Sequence, residues 1–133
     1  MDIVTEIRHF NAGRDPQRLQ LKYRAMRSSP LAFLRGSCHL FYARVAAEVE
    51  LPASPIGWIC GDLHLENFGS YKADNRLVYF DVNDFDEAAL APASWDLLRW
   101  LVSLDLAAEA LEVGDTARHA LIEQSLATYA STL

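Results

Sequence analysis

Cys60-Gly61-Asp62-Leu63-His64-Leu65-Glu66-Asn67-Phe68-Gly69, followed by Phe80-Asp81-Val82-Asn83-Asp84-Phe85-Asp86-Glu87, is the most informative part of this sequence. An acid, Asp62, stands just after the short apolar run Ile56–Cys60, and Asn67 follows five residues later. A second run, Leu77-Val78-Tyr79-Phe80 continued by Val82, ends in the acidic cluster Asp84, Asp86 and Glu87. Both runs have the length and residue types of strands. Paired as a hairpin over 56–88, they bring the two clusters to one end. That grouping suits phosphoryl transfer on a metal-bound nucleotide. One carboxylate orients the attacking hydroxyl and accepts its proton, while an amide oxygen and a second carboxylate hold magnesium.

Outward from this centre the pattern turns helical. Asp15-Pro16 is a capping side chain followed by proline at the first helical position, and Leu19, Tyr23 and Met26 give the helix it opens an apolar stripe ending near Ser28. Ser29-Pro30 repeats the signal, and Leu31, Phe33, Leu34, Leu40, Phe41, Val45 and Val49 carry a second helix to about Glu50. Gly36 marks a kink or a close approach within it, and Pro52 and Pro55 punctuate a turn. From Ser94 the chain is helical again and apolar on most sides, as a buried helix is. Gly114 fits its stop, and Asp115 or Thr116 caps a last helix to about Ser131. The expected architecture is one α+β domain over 1–133: helices in 14–50, a strand-and-loop centre in 56–88, and helices in 92–133.

The composition bounds the function. At 133 residues, 51% hydrophobic and 23% charged, the chain has the makings of one core and not of a disordered tail. No apolar run approaches a membrane span, and the acids in MDIVTEIRHF disfavour a secretory leader, so no membrane is expected. Cys38 and Cys60 show neither metal spacing nor a disulfide framework, which makes a reducing, cytoplasmic setting the default. The net charge of −6 is unevenly spread. Residues 1–50 carry eight Lys/Arg against five Asp/Glu, and residues 51–133 four against thirteen. The acidic half argues against nucleic acid as a partner. It suits either a divalent cation or a plain solvated face.

At these residues the sequence resembles known families. Asp62-Leu-His-Leu-Glu-Asn67 looks like the catalytic loop of the protein-kinase-like superfamily in its aminoglycoside- and choline-phosphotransferase style. Asp84-Phe85-Asp86-Glu87-Ala88 looks like the metal-binding segment of those enzymes. Pro92 and Trp95-Asp96-Leu97 follow at offsets that suit the superfamily, whose later Asp braces the catalytic loop from a helix start. More closely, Met26-Arg-Ser-Ser-Pro-Leu-Ala-Phe-Leu-Arg-Gly36, Gly61-Asp62-Leu-His64 and Asn83-Asp84-Phe-Asp86-Glu87 resemble an uncharacterised bacterial family, domain of unknown function 2252, over about residues 14–130. Leu31 stands where that family tends to have Phe.

The resemblance implies part of the large lobe of the kinase-like fold. It implies transfer of a nucleotide γ-phosphoryl group to a hydroxyl of unknown identity, with Mg2+ and ATP as cofactors. Asp62 would be the catalytic base or orienting acid, and Asn67 and Asp84 magnesium ligands, with Asp81 or Asp86 assisting. It further implies a longer protein with a downstream Gly-rich, Lys-containing segment. The sequence here has only Lys22 and Lys72 and no GxxxxGK. The expectation is therefore a partial domain with weak magnesium affinity, negligible turnover by itself, and exposed apolar surface open to self-association or a partner chain.

Each residue also has a plainer role open to it. Asp62 and Asn67 can cap local backbone groups in a strand-to-loop connection. Asp81 competes with Asp84 for the metal role. His64 can hold the loop by hydrogen bonds, Glu66 can be solvated, and Asp96 can act as a cap or loop brace. Arg35 is either a surface helix residue or a partner for an acid or phosphate. Tyr23, Phe41, Tyr42, Trp95 and Trp100 read as core, and Cys60 as packing. A calcium loop fails, since starts at Asp81 and Asp84 put Asp86 and Ala89 where glycine is needed. A metal-dependent phosphohydrolase using Asp62, His64, Asp81 and Asp84, or a non-catalytic binding module, remains an alternative.

Overall fold

The Asp2 carboxylate accepts hydrogen bonds from Val4 N and Thr5 N at 3.0 and 3.2 Å and so starts a helix, α1 (Ile3–Phe10), before the first one expected from the sequence. At eight residues this helix is too short to show much periodicity. The computed structural model describes residues 2–132, and the chain divides into two units after Pro55.

In the first unit, α2 (Pro16–Met26) starts from Asp15, whose side chain accepts from Arg18 N at 2.8 Å. Ser29 caps α3 (Pro30–Gly36) by accepting from Ala32 N at 3.1 Å, and α4 (Cys38–Glu48) follows. The single helix expected over 30–50 is thus two. Ser37, at φ −123° and ψ 33°, leaves helical geometry and separates them. Gly36 meets the other half of its expectation, because a Cβ there would run into the Met26 side chain. Ile7, Met26 and Leu40 form the core with Tyr23 packed against it. Arg44 joins α1 to α4 through Glu6 at 2.9 Å and also holds Glu48 at 2.7 Å. At 44% exposure such pairs are screened by solvent and add little.

The second unit runs β1 (Ile56–Ile59), a 3-10 turn (Leu65–Asn67), β2 (Phe68–Lys72), β3 (Val78–Val82), β4 (Ala89–Pro92), α5 (Ala93–Ala110) and α6 (Asp115–Thr132). The pairing corrects the expected hairpin. β1 pairs antiparallel with β4, placing Ile56 opposite Pro92 and Ile59 opposite Ala89. β3 pairs instead with β2, placing Phe68 opposite Val82 and Lys72 opposite Val78. Phe-Gly-Ser-Tyr-Lys has too little apolar character to announce a strand, so the true partner of β3 was hidden. One ladder is nested inside the other. The loops 60–67 and 83–88 are the two connections between them.

α5 also differs from expectation. Its buried positions are Asp96, Arg99, Ser103 and Ala108, while Trp95, Trp100 and the leucines are only half-buried. Tyr23, Phe41 and Tyr42 are half-buried too. Glu112, at φ 58°, takes the left-handed position after α5, and Gly114 instead accepts from Ala117 N and Arg118 N to open α6. Arg118 ties α6 to α5 by donating to Asp105 from Nε and Nη2 at 3.0 and 2.9 Å. Trp58 on β1 is 78% exposed and Phe80 on β3 72%. No helix among the described residues is long and apolar enough to cross a membrane.

Candidate functional site

Asp96, Arg99 and Ser103 recur at three- and four-residue spacing and so share one face of α5. That face holds the loop after β1 at three successive points. Asp96 Oδ2 accepts from Cys60 N at 2.6 Å and its Oδ1 from Gly61 N at 3.2 Å. Arg99 Nε donates to Asp62 Oδ1 at 2.8 Å, and Nη2 donates to the same oxygen. Ser103 Oγ accepts from Leu65 N at 3.0 Å and donates to the Trp100 carbonyl at 2.7 Å. Arg99 and Ser103 are wholly buried, whereas the Asp62 side chain is 25% exposed. A buried guanidinium is tolerated only with a charge partner, and a buried N–H only with an acceptor. The polar face of α5 and the loop therefore require one another.

Inside the loop, Asn67 Oδ1 accepts from His64 N at 2.9 Å and Asn67 N donates to His64 O at 3.0 Å, closing the 3-10 turn on itself. His64 and Asn67 are 4% and 5% exposed. The acidic segment lies against this loop. Gly61 adopts φ +89°, and a Cβ on it would overlap the Glu87 carbonyl, so the two backbones touch where only glycine fits. Cys60 Sγ donates to the Asp84 carbonyl at 2.8 Å, and Asn83 N to the Asn67 carbonyl at 2.9 Å. Burial pushes the Cys60 thiol up from its ordinary range, helped by the nearby carboxylates of Asp96, Asp84 and Asp62. A thiol so placed is a packing group with an S–H donor.

The loop that carries Asp62, His64 and Asn67 and the segment that carries Asp84 lie side by side, and Asp96 braces the first of them. Asp84 and Asp86 are exposed, and Asp86 N donates to Asp84 Oδ1 at 3.2 Å. Asp81 is exposed on β3, opposite Gly69, and its Oδ1 accepts from Val82 N at 2.8 Å. Glu66 is exposed. Arg35 is an exposed residue of α3 and belongs to the first unit, not to the unit carrying these loops. Sequence reasoning missed Arg99 and Ser103. The available signal was a lone arginine in the apolar run Trp95–Val102, three residues after an acid already assigned a bracing role.

Among the described residues no three His, Cys, Asp or Glu side chains gather into a group able to hold a metal ion. The donor chemistry still suits magnesium bound together with phosphates. That ion is usually held by one or two protein oxygens plus phosphate and water oxygens, not by a full protein cage. Asp84 offers an exposed carboxylate, and the Asn67 amide oxygen keeps a second lone pair beyond the one facing His64 N.

No curated protein and no solved structure matches this chain. A family model described as an uncharacterized protein conserved in bacteria, DUF2252, matches residues 14–133, which takes in both loops and the α5 face that braces them. The chain belongs to the DUF2252 family.

Proposed function

We propose that this chain carries the hydroxyl-orienting and metal-holding side of a phosphotransferase site, built on part of the large lobe of a kinase-like fold. The observation that carries the reading is the bracing of the Asp62 loop by α5 with the Asp84–Glu87 segment packed beside it. In phosphoryl transfer the protein's work is positioning and charge stabilisation, more than covalent chemistry. Asp62 presents its carboxylate to an acceptor hydroxyl, orients it and receives its proton. Asn67 and Asp84 are the residues that would hold magnesium, with Asp81 or Asp86 assisting. When bound, that ion neutralises the phosphates of ATP.

The test uses manganese in place of magnesium. Adding substoichiometric Mn·ATP to the 15N-labelled protein should broaden the amide signals of Asn67 and Asp84–Glu87 before those of other acidic segments, such as Asp105–Glu112. Broadening confined to those other segments would remove the metal assignment. Mg-dependent ATP consumption stimulated by a hydroxyl compound is the matching activity. Phosphate release from simple monoesters without nucleotide would point to the hydrolase instead.

A further inference from the structure

The Asp62–Arg99 pair is asymmetric in a way that bears on how Asp62 works. The two bonds that Arg99 makes to Asp62, from Nε and Nη2, fall on the same oxygen, Oδ1. Arg99 is 0% exposed and Asp62 25%, so the arginine lies on the inner side of the pair and the carboxylate on the outer. The backbone on either side of Asp62 is fastened independently, to Asp96 at Cys60 and Gly61 and to Ser103 at Leu65. Loop path and side-chain direction are thus set by different residues.

We propose that Arg99 is a positioning residue for Asp62: by holding Oδ1 from beneath, it fixes the side chain in one rotamer and turns Oδ2 toward the open side of the loop. This rests on the phosphotransferase reading for its purpose and deepens it by naming the group that aims the hydroxyl-orienting acid. An aspartate with free χ1 samples up to three staggered positions, of which only one serves a given acceptor. A planar guanidinium, with donors at fixed angles, selects one of them. A lysine ammonium is a point charge and does so poorly. Because the group that holds Oδ1 belongs to the protein itself, the carboxylate is preorganised.

The experiment is solution NMR of the intact 133-residue chain without nucleotide. Three-bond couplings about χ1 of Asp62 should report a single rotamer in the wild type and averaging over two or more in Arg99→Lys. The Cys60, Gly61 and Leu65 amide signals should stay in place in that variant, because Asp96 and Ser103 still hold them. A merely structural role would move those amides and leave the Asp62 couplings unaltered. In a second measurement, the Arg99 Nε–Hε signal should be slow to exchange in the wild type and should shift in Asp62→Asn, which needs no Arg99 variant to fold. Averaged Asp62 couplings in the wild type, unchanged couplings in Arg99→Lys, or an Arg99 Nε–Hε signal indifferent to Asp62→Asn would each overturn the proposal. Failure of the phosphotransferase reading appears separately, in the Mn·ATP experiment.

Discussion

The Cys60 thiol donates to the Asp84 main-chain carbonyl at 2.8 Å, fastening the loop that carries Asp62 to the segment that carries the second acidic cluster. The two residues are 24 apart in sequence. Their contact follows from the nested ladders, which make loops 60–67 and 83–88 neighbouring connections between one pair of strands and the other. Cys60→Ser, which keeps a donor, should retain stability better than Cys60→Ala. In the wild type, Cys60 should resist alkylation at neutral pH until the chain unfolds, since burial raises its thiol above the ordinary range. Rapid labelling of native Cys60 would contradict its packing role.

Gly61→Ala should be among the most damaging small substitutions in the second unit. The residue sits at φ +89°, and a methyl there meets the Glu87 backbone, which cannot swing aside as a side chain would. Positive φ alone costs about 1–3 kcal/mol in a non-glycine residue, and the overlap adds to it. Urea denaturation should show a clearly lower midpoint. A change under about 0.5 kcal/mol, the usual scatter of surface substitutions, would mean that the two segments do not touch.

Removing the Asp62 carboxylate takes from the buried Arg99 the acid to which its Nε and Nη2 donate. Loss of one member of a buried pair costs about 3–5 kcal/mol, and the quarter exposure of Asp62 puts Asp62→Ala near the lower end. Any activity lost in that variant must therefore be read beside its stability. Equal stability of Asp62→Ala and wild type in denaturant titrations would refute the pairing.

Asp96→Ala should release both Cys60 N and Gly61 N, each bonded to a carboxylate oxygen, at about 1.5–3 kcal/mol for a charged hydrogen bond. Faster amide exchange should be confined to the start of the loop. Ser103→Ala should instead speed exchange at Leu65, with a cost of about 1 kcal/mol. Identical exchange patterns in the two variants would show that α5 does not hold the loop at separate points.

In the first unit, His39 stacks on Phe10 with ring centroids 3.7 Å apart. Burial foremost, then the charges of Lys22 and Arg14, hold its imidazole below the ordinary 6.5, with Glu6 opposing. A group whose folded value is depressed stabilises the fold above its unfolded value and loses that contribution as pH falls through the folded one. The melting temperature should accordingly decline as pH drops below about 6.5, and His39→Leu should remove part of that slope. The same slope in variant and wild type would place the effect elsewhere.

The α+β class, the starts at Asp15 and Ser29, the strand at Ile56 and the two polar clusters were all legible in the sequence. Each depends on local chemistry: a capping side chain, a proline at the first turn, an apolar run bounded by turn residues. Pairing was not legible, because β2 is polar and a strand's partner depends on which alternative buries more, a property of the whole chain. Neither was the role of α5. Its apolar residues announce a buried helix, yet three of the positions it buries are Asp96, Arg99 and Ser103, the last two completely. Only tertiary structure could decide this, since a polar face is worth burying solely where another segment supplies matching donors and acceptors. Here that segment is the loop from Cys60 to Leu65, more than thirty residues away in sequence.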